Sequence, residues 1–302
     1  MPATPASQSA NSRSNNNRQR PYCLYGPIPQ YIQVFVVILA ILAVFLPIGR
    51  VAYQRLMAIR TVERAGGLVQ TTKRWPEAMR SWVGETGRAL IENVYEVDLG
   101  DSTIRDRDLA CLRILNECER LDLHDTDISD DGLALVKELT SLKSLNLTGM
   151  AITDRGLKHI AVLTSLKCLL LEETQVTDDG LKTLSVLKNL RVLDVDRSAV
   201  TDKGLRYLRT MTDLEELWLA NTEITDHGLI ELLGMTRLQC LAIDRTRISD
   251  TGLATLKSLP KLQKLFANGC QITDAGVHEL TCALPDLTVY REIMECGEIE
   301  GR

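Results

Sequence analysis

Aspartates recur every 24 residues along this chain, and they are the most regularly spaced residues that could take part in chemistry. Aligned carboxylates could bind calcium or act as general acids and bases. Each aspartate, however, stands just before apolar residues at helical spacing. A carboxylate there accepts a hydrogen bond from a free backbone N–H and favours the positive end of a helix. We therefore predict that the following aspartates are helix N-caps: Asp106, Asp130, Asp154, Asp178, Asp202, Asp226, Asp250 and Asp274.

Other residue types give no sign of a catalytic centre. The sequence contains no P-loop, no G-x-G-x-x-G, no H-E-x-x-H and no G-x-S-x-G motif. When the sequence is aligned in units of 24 residues, equivalent positions form columns, and the histidines fall in different columns. They therefore cannot converge on one metal ion. We predict a protein that is not an enzyme and has no cofactor, no metal site and no small-molecule substrate. The histidines are His124, His159, His227 and His278.

The 24-residue spacing also predicts the strands and helices that position the aspartates. In the segment 166–187, an L-x-L stretch has the period of a strand, and three later leucines have the spacing of a helical turn. Each repeat is therefore predicted to be one strand and one short helix around a shared core. One aliphatic column shows how far the pattern extends: Ile104, Ile128, Ile152, Val176, Val200, Ile224, Ile248 and Ile272.

Two further columns are predicted to shape the contacts between repeats. A glycine two residues after each aspartate from Asp130 onward, such as Gly180 or Gly204, lets the chain pass closely over its neighbour. Hydroxyl residues after the strands are suited to hydrogen-bonding the turn of an adjacent repeat, and Met150 and Cys270 interrupt their column. The hydroxyl residues are Ser102, Thr126, Thr174, Ser198, Thr222 and Thr246.

The N-terminal part of the chain has a different composition. Residues 1–27 are predicted to be a disordered tail, because they are mostly Ser, Asn, Arg and Pro. Residues 28–49 contain an unbroken apolar run from Val34 to Ile48 and are predicted to span a membrane, since about 20 such residues cross the hydrocarbon core. A buried core helix and a cleaved signal peptide are the alternatives.

The residues that follow the apolar run are predicted to connect it to the repeats. Residues 50–67 form either an amphipathic helix on a lipid surface or a soluble helix leading into the repeat domain, and Gly66 and Gly67 end it. Residues 68–93, with Trp75 and Trp82, are predicted to cap the core. The repeats occupy residues 94–290, and residues 291–302 form a tail. The excess of arginine after the span favours a cytoplasmic repeat domain.

The repeated motif L-x-x-L-x-L-x-x-T-x-[IV]-[TS]-D-x-G-[LV], as in the segments 190–205 and 238–253, resembles the cysteine-containing subtype of leucine-rich repeats. Together with the preceding apolar helix, it is similar to bacterial membrane-anchored repeat proteins. The resemblance implies an α/β, right-handed and curved solenoid. Its parallel sheet would form the concave face, short helices would form the convex face, and the concave face would contact proteins.

The concave face is where we expect a partner to bind. Its first repeats are acidic, whereas Trp218 and Phe266 stand on either side of Ala242 in one column of successive strands. Alternate strands are about 10 Å apart, so the two rings are predicted to flank a shallow apolar notch. The predicted partner-binding residues are Leu170, Glu172, Asp194, Asp196, Trp218, Arg245 and Phe266.

These features favour a protein or peptide partner, one with basic residues, and contact with membrane lipid through residues 28–64. A net charge of −5 offers no general attraction to nucleic acid. Cys168 and Cys240 occupy equivalent positions three repeats apart, which places them about 14 Å from each other. This distance is too long for a disulfide and indicates that both are free thiols. A structural protein of the cell envelope, and an adaptor for an enzyme in another chain, are the alternative functions.

Overall fold

The computed structural model describes residues 30–72 and 92–291, in which the strands form one sheet. The strands lie in chain order, and each strand from β2 to β9 pairs in parallel with the next, while β1 pairs with β2 antiparallel. The strands are β1 Leu68–Thr71, β2 Val94–Asp98, β3 Arg120–Asp122, β4 Ser144–Asn146, β5 Cys168–Leu170, β6 Val192–Asp194, β7 Glu216–Trp218, β8 Cys240–Ala242, β9 Lys264–Phe266 and β10 Thr288–Tyr290.

One long helix precedes the sheet, and short helices follow the strands. The helices are α1 Gln30–Arg64, α2 Asp106–Leu109, α3 Leu133–Val136, α4 Asp154–Ile160, α5 Asp178–Leu184, α6 Asp202–Leu208, α7 Asp226–Leu229, α8 Asp250–Leu256 and α9 Asp274–Ala283. Two 3-10 turns, Ala110–Ile114 and Ile230–Leu232, extend α2 and α7. The predicted alternation of strand and short helix is therefore present through the repeats.

The core is a continuous row of aliphatic side chains between the sheet and the short helices. Leu169 in the centre of β5 and Leu181 and Leu184 of α5 are fully buried, and their equivalents repeat along the chain. Burial of one such side chain stabilises the fold by about 1.5 to 3 kcal/mol. No single repeat contains enough of these contacts to be stable alone, so neighbouring repeats must be stacked.

The aspartate column does not provide the N-caps, which corrects our prediction. From α4 to α9 the cap is the Thr or Ser just before the aspartate, whereas the N-cap of α2 is Arg105 and that of α3 is Gly132. In α5, the side chain of Thr177 accepts a hydrogen bond from the backbone N–H of Asp179. The aspartate occupies the first helical position, where its charge still favours the helix end. Both residue types are good caps, and the sequence alone does not show which one adopts the extended backbone of the cap position.

The aspartate instead connects one repeat to the next. Asp202 accepts a hydrogen bond from the backbone N–H of Thr225 at 2.8 Å and another from its hydroxyl at 2.6 Å. We call this pair of bonds the aspartate link. Within the described residues it recurs from Asp106, paired with Ser129, to Asp250, paired with Thr273. The carboxylate thus orients the N-cap of the following repeat.

The glycine column is explained by the same link. A Cβ atom at Gly204 would lie 2.5 Å from the Oδ1 atom of Asp178, the aspartate of the preceding repeat. The predicted close passage of the chain at this glycine is therefore confirmed. The hydroxyl column was assigned the wrong acceptor: Thr174, for example, donates to the carbonyl of Leu171 in its own repeat at 2.6 Å. Cys270, which interrupts this column, contacts the preceding repeat, where its Sγ lies 2.9 Å from the carbonyl oxygen of Ile243.

The chain divides into two compact units after Ile48. In the second unit, the last turns of α1 pack against the first repeats: Ala58 and Val62 belong to the core, and Arg55 donates to the Glu92 carbonyl and to the Glu117 carboxylate. Of the two alternatives for this segment, this packing supports the helix that leads into the repeats. The helix ends at Arg64, just before the two glycines, as predicted. Trp75 and Trp82 of the predicted cap lie outside the described residues.

Candidate functional site

The strand face, defined as the side of the sheet opposite the leucine core, carries one continuous column of side chains. The parallel register aligns the last residue of each strand with the last residue of its neighbour. From β2 to β10 the column reads Asp98, Asp122, Asn146, Leu170, Asp194, Trp218, Ala242, Phe266 and Tyr290. It therefore passes from acidic to aromatic.

The aromatic end of this column is a closed stack. The ring centroids of Trp218 and Phe266 are 5.6 Å apart, and the rings are nearly parallel at 22°. They lean over Ala242, which is fully buried. The predicted notch between the two rings is therefore wrong, because side-chain rotation brings the rings together above the small residue.

Tyr290 extends the stack, although it was not among the predicted site residues. Its ring centroid lies 4.6 Å from that of Phe266, and 42% of the residue is exposed. The available signal was the 24-residue spacing from Phe266, which β10 keeps without a shift. We call Trp218, Phe266 and Tyr290 the aromatic stack.

An acidic cluster adjoins the aromatic stack. Asp194 is the register partner of Trp218, and Asp196, Glu172 and Asp244 complete the cluster. Burial is the main reason why the pKa of Asp194 rises to about 6 and that of Asp196 to about 7, and neighbouring carboxylates add to both shifts. Backbone N–H groups offset part of the increase, since Asp194 accepts from Asp196 and Asp196 accepts from Ala220. Negative charge is thus concentrated here at a cost in stability.

The remaining predicted site residues are less closely associated with this surface. Arg245 is exposed and has a left-handed backbone with φ 54°, and its backbone N–H donates to the Asn268 carbonyl. Leu170 is half-buried and lines a groove of about 530 Å³ over β3 to β5. Charged residues outside the predicted site line the same groove, and they include Arg120, Lys143 and Lys167.

The raised pKa values of the acidic cluster predict a specific pH dependence of stability. A carboxyl group whose folded pKa is raised contributes stability at low pH, and this contribution is lost as the pH rises through about 6 to 7. We expect Asp196→Asn to be about 1 to 2 kcal/mol more stable than the wild type at pH 8, a value discounted for partial solvent exposure. The difference should nearly vanish at pH 4. The amide oxygen of Asn can still accept from Ala220.

Urea denaturation at both pH values measures this effect. Asp127→Asn is the matched control, because Asp127 is an exposed aspartate outside the cluster. Its stability difference from the wild type should not change between pH 4 and pH 8. If Asp196→Asn were less stable than the wild type at pH 8, the prediction would be wrong, because neighbouring groups would then stabilise the negative charge of Asp196.

The fold and its register define a solenoid of leucine-rich repeats. The family model described as "Leucine Rich repeat" matches residues 138–161 and 186–208. The structure is similar to that of internalin C2 (inlC2) from Listeria monocytogenes, with 29% sequence identity and a TM-score of 0.56, over 66% of this chain and 81% of that chain. Another internalin (inlF) from the same organism has 23% identity and a TM-score of 0.49, over 65% and 68%. No curated protein matches the chain. The family match and the first internalin support a bacterial leucine-rich-repeat protein.

Proposed function

We propose that this chain is a membrane-anchored, non-catalytic scaffold that binds a protein or peptide through its strand face. The observation that carries the proposal is the aromatic stack, which leaves ring surface exposed beside a group of carboxylates. Large aromatic side chains dominate the binding energy of many protein interfaces. Leucine-rich repeats also provide extended binding surfaces as a class.

The acidic cluster supports a partner with basic side chains. Glu172, Asp194 and Asp196 lie within each other's electrostatic influence, and in the described residues the cation near them is Arg197, 3.8 Å from Glu172. Arg197 also pairs with Glu173, so its charge is shared. A lysine or arginine of a partner would complement the remaining negative charge and accelerate association.

The exposed apolar surface of α1 supports the membrane anchor. Val34, Phe35 and Leu46 are each more than half exposed, and residues 37–64 are long and apolar enough to span a bilayer. A signal sequence meets the same criteria. We favour a cytoplasmic repeat domain, because arginines follow the span and the cysteines in the described ranges are free thiols.

A capture experiment tests the proposed binding function. We expect replacement of both Trp218 and Phe266 by Ala to weaken partner capture at least tenfold, since aromatic anchors are typically worth about 2 kcal/mol or more on truncation. The measurement is purification of tagged protein from native membranes, followed by quantification of the proteins retained. Because the rings stack on each other, the variant must first be shown to be folded by circular dichroism.

Val162→Ala with Val186→Ala is the matched control, because both valines are about half exposed and lie outside the strand face, at the ends of two short helices. This control should retain the partner. Full retention by a folded Trp218→Ala/Phe266→Ala protein would refute binding through the aromatic stack. Loss of association only in the valine variant would instead support a structural envelope protein that associates laterally.

A further inference from the structure

A histidine and two aspartates converge at the opposite end of the strand face from the aromatic stack. Asp98 and Asp122 are register partners on β2 and β3, and His124 follows Asp122 by two residues. One side-chain ligand atom from each of the three residues lies within 4.8 Å of the others. All three residues are half-buried. The prediction of no metal site rested on the spacing of the histidines and did not include the carboxylates of adjacent strands.

The backbone holds these three side chains in position. The Oδ1 atom of Asp122 accepts from the backbone N–H of His124 at 3.0 Å, and its Oδ2 atom accepts from the amide of Asn146 at 3.1 Å. Asp98 accepts from the backbone N–H of Gly100 at 3.0 Å. Gly100 is also required for space, because a Cβ atom there would overlap the His124 ring. The strands and these hydrogen bonds therefore hold the three side chains close together before any ion arrives.

We propose that Asp98, Asp122 and His124 form a binding site for a divalent transition-metal ion, for which Zn²⁺ is the best fit. Imidazole nitrogen and carboxylate oxygen bind Zn²⁺ at about 2.0 to 2.2 Å, so ligand atoms around one ion are about 3 to 3.5 Å apart. The ligand atoms lie within 4.8 Å of one another, so binding of the ion requires the three side chains to move closer together. Two carboxylates balance the double charge of the ion, and the single nitrogen favours Zn²⁺ over Ca²⁺ or Mg²⁺.

The surroundings leave room to complete the coordination of the ion. Asp122 lines the groove of about 530 Å³ over β3 to β5, which gives water access to its carboxylate. Three protein ligands with water in the remaining position are a common arrangement for Zn²⁺. This site does not depend on the proposed partner-binding function, because it shares no residue with the aromatic stack or the acidic cluster.

The competing explanation is an ion pair without metal. His124 Nδ1 lies 2.7 Å from Asp122 and Nε2 lies 3.4 Å from Asp101, so a protonated imidazole would make the same contacts. The experiment must therefore detect the ion itself.

Another possible Zn²⁺ ligand pair, His278 and Cys282 of α9, is 3.6 Å apart and is removed by His278→Ala/Cys282→Ser in every protein compared.

We test the site by equilibrium dialysis of the chelator-treated full chain in detergent against Zn²⁺, with metal quantified by mass spectrometry. The expected result is one Zn²⁺ per chain that is lost in His124→Ala and bound at least tenfold more weakly by Asp98→Asn. Asp125→Asn is the matched control: Asp125 is an exposed carboxylate near His124 that is not one of the three proposed ligands, so its variant should bind as the wild type does. Ca²⁺ binding should not respond to His124→Ala.

Two outcomes would overturn the proposal. Equal Zn²⁺ binding by the folded His124→Ala protein would place the ion elsewhere, and absence of Zn²⁺ binding by the wild type would leave the ion pair as the function of His124. Weakening by Asp125→Asn but not by Asp98→Asn would also reject the assigned ligands. Circular dichroism of each variant shows that loss of binding is not loss of fold.

Discussion

The Asp202→Ala substitution is expected to lower the free energy of unfolding by about 2 to 4 kcal/mol, because it removes two hydrogen bonds to a charged acceptor. Asp202 accepts from both the backbone N–H and the hydroxyl of Thr225, and these contacts are partly buried. Without the carboxylate, the N-cap of α7 loses its support from the preceding repeat. The fold should persist, since the leucine core is unchanged.

Chemical denaturation followed by circular dichroism measures this loss. Asp274→Ala is the matched control from the same column, because Asp274 contacts Arg291 with a side chain that is 88% exposed. We expect the control to cost less than about 1 kcal/mol. A double-mutant cycle with Thr225→Ala should give a coupling energy of at least 1 kcal/mol, since the two side chains form one contact. Equal costs for Asp202→Ala and Asp274→Ala would contradict a stabilising role for the aspartate link.

Removal of residues 1–49 is expected to transfer the protein almost completely from the membrane fraction to the soluble fraction. The removed part contains the apolar run from Val34 to Ile48, which provides the predicted anchor. The remaining chain keeps Ala52, Ala58 and Val62, whose side chains are buried within the second unit. The truncated protein should therefore melt cooperatively.

Fractionation of native cells at neutral pH and low salt tests this expectation. Val51→Ser/Tyr53→Ser is the matched control, because these exposed side chains lie just beyond the removed segment and the variant should stay with the membrane. A full chain found in the soluble fraction would contradict the anchor, and mass spectrometry of its N-terminus would reveal cleavage of a signal sequence. Protease added outside intact cells should spare the repeats, and their digestion would reverse the proposed orientation.

The periodicity of the sequence predicted most of the repeat fold because each strand and each helix shows its own burial spacing. Residues such as Leu169 and Leu181 are buried at the strand and helix spacings that their own repeat shows. The aspartate link was not predictable in the same way, since it joins Asp202 to a residue 23 positions later. A hydrogen bond between repeats leaves no mark on the pattern of a single repeat. Both Asp and Thr therefore remained plausible caps.

The candidate site was predictable only as far as the backbone register determines it. The register placed Trp218, Ala242 and Phe266 on successive strands, as β7 to β9 now show. It did not determine the rotamers, and rotation of both rings over Ala242 closed the expected gap. Likewise, the sequence identified Asp194 and Asp196 as acidic but gave no measure of their burial, which is the main cause of their raised pKa values.

The aspartate link has a consequence for how such a chain can change in length during evolution. In each linked repeat, an aspartate accepts from the following repeat, and a Thr or Ser donates from its N–H and hydroxyl to the preceding repeat. Asp178 and Thr177 at the start of α5 are an example. Any repeat can therefore follow any other with the same contact. Duplication or loss of a whole unit rejoins matching ends, whereas an insertion of another length separates the carboxylate from its donors. The polar contact thus permits growth in steps of one repeat and selects against intermediate lengths.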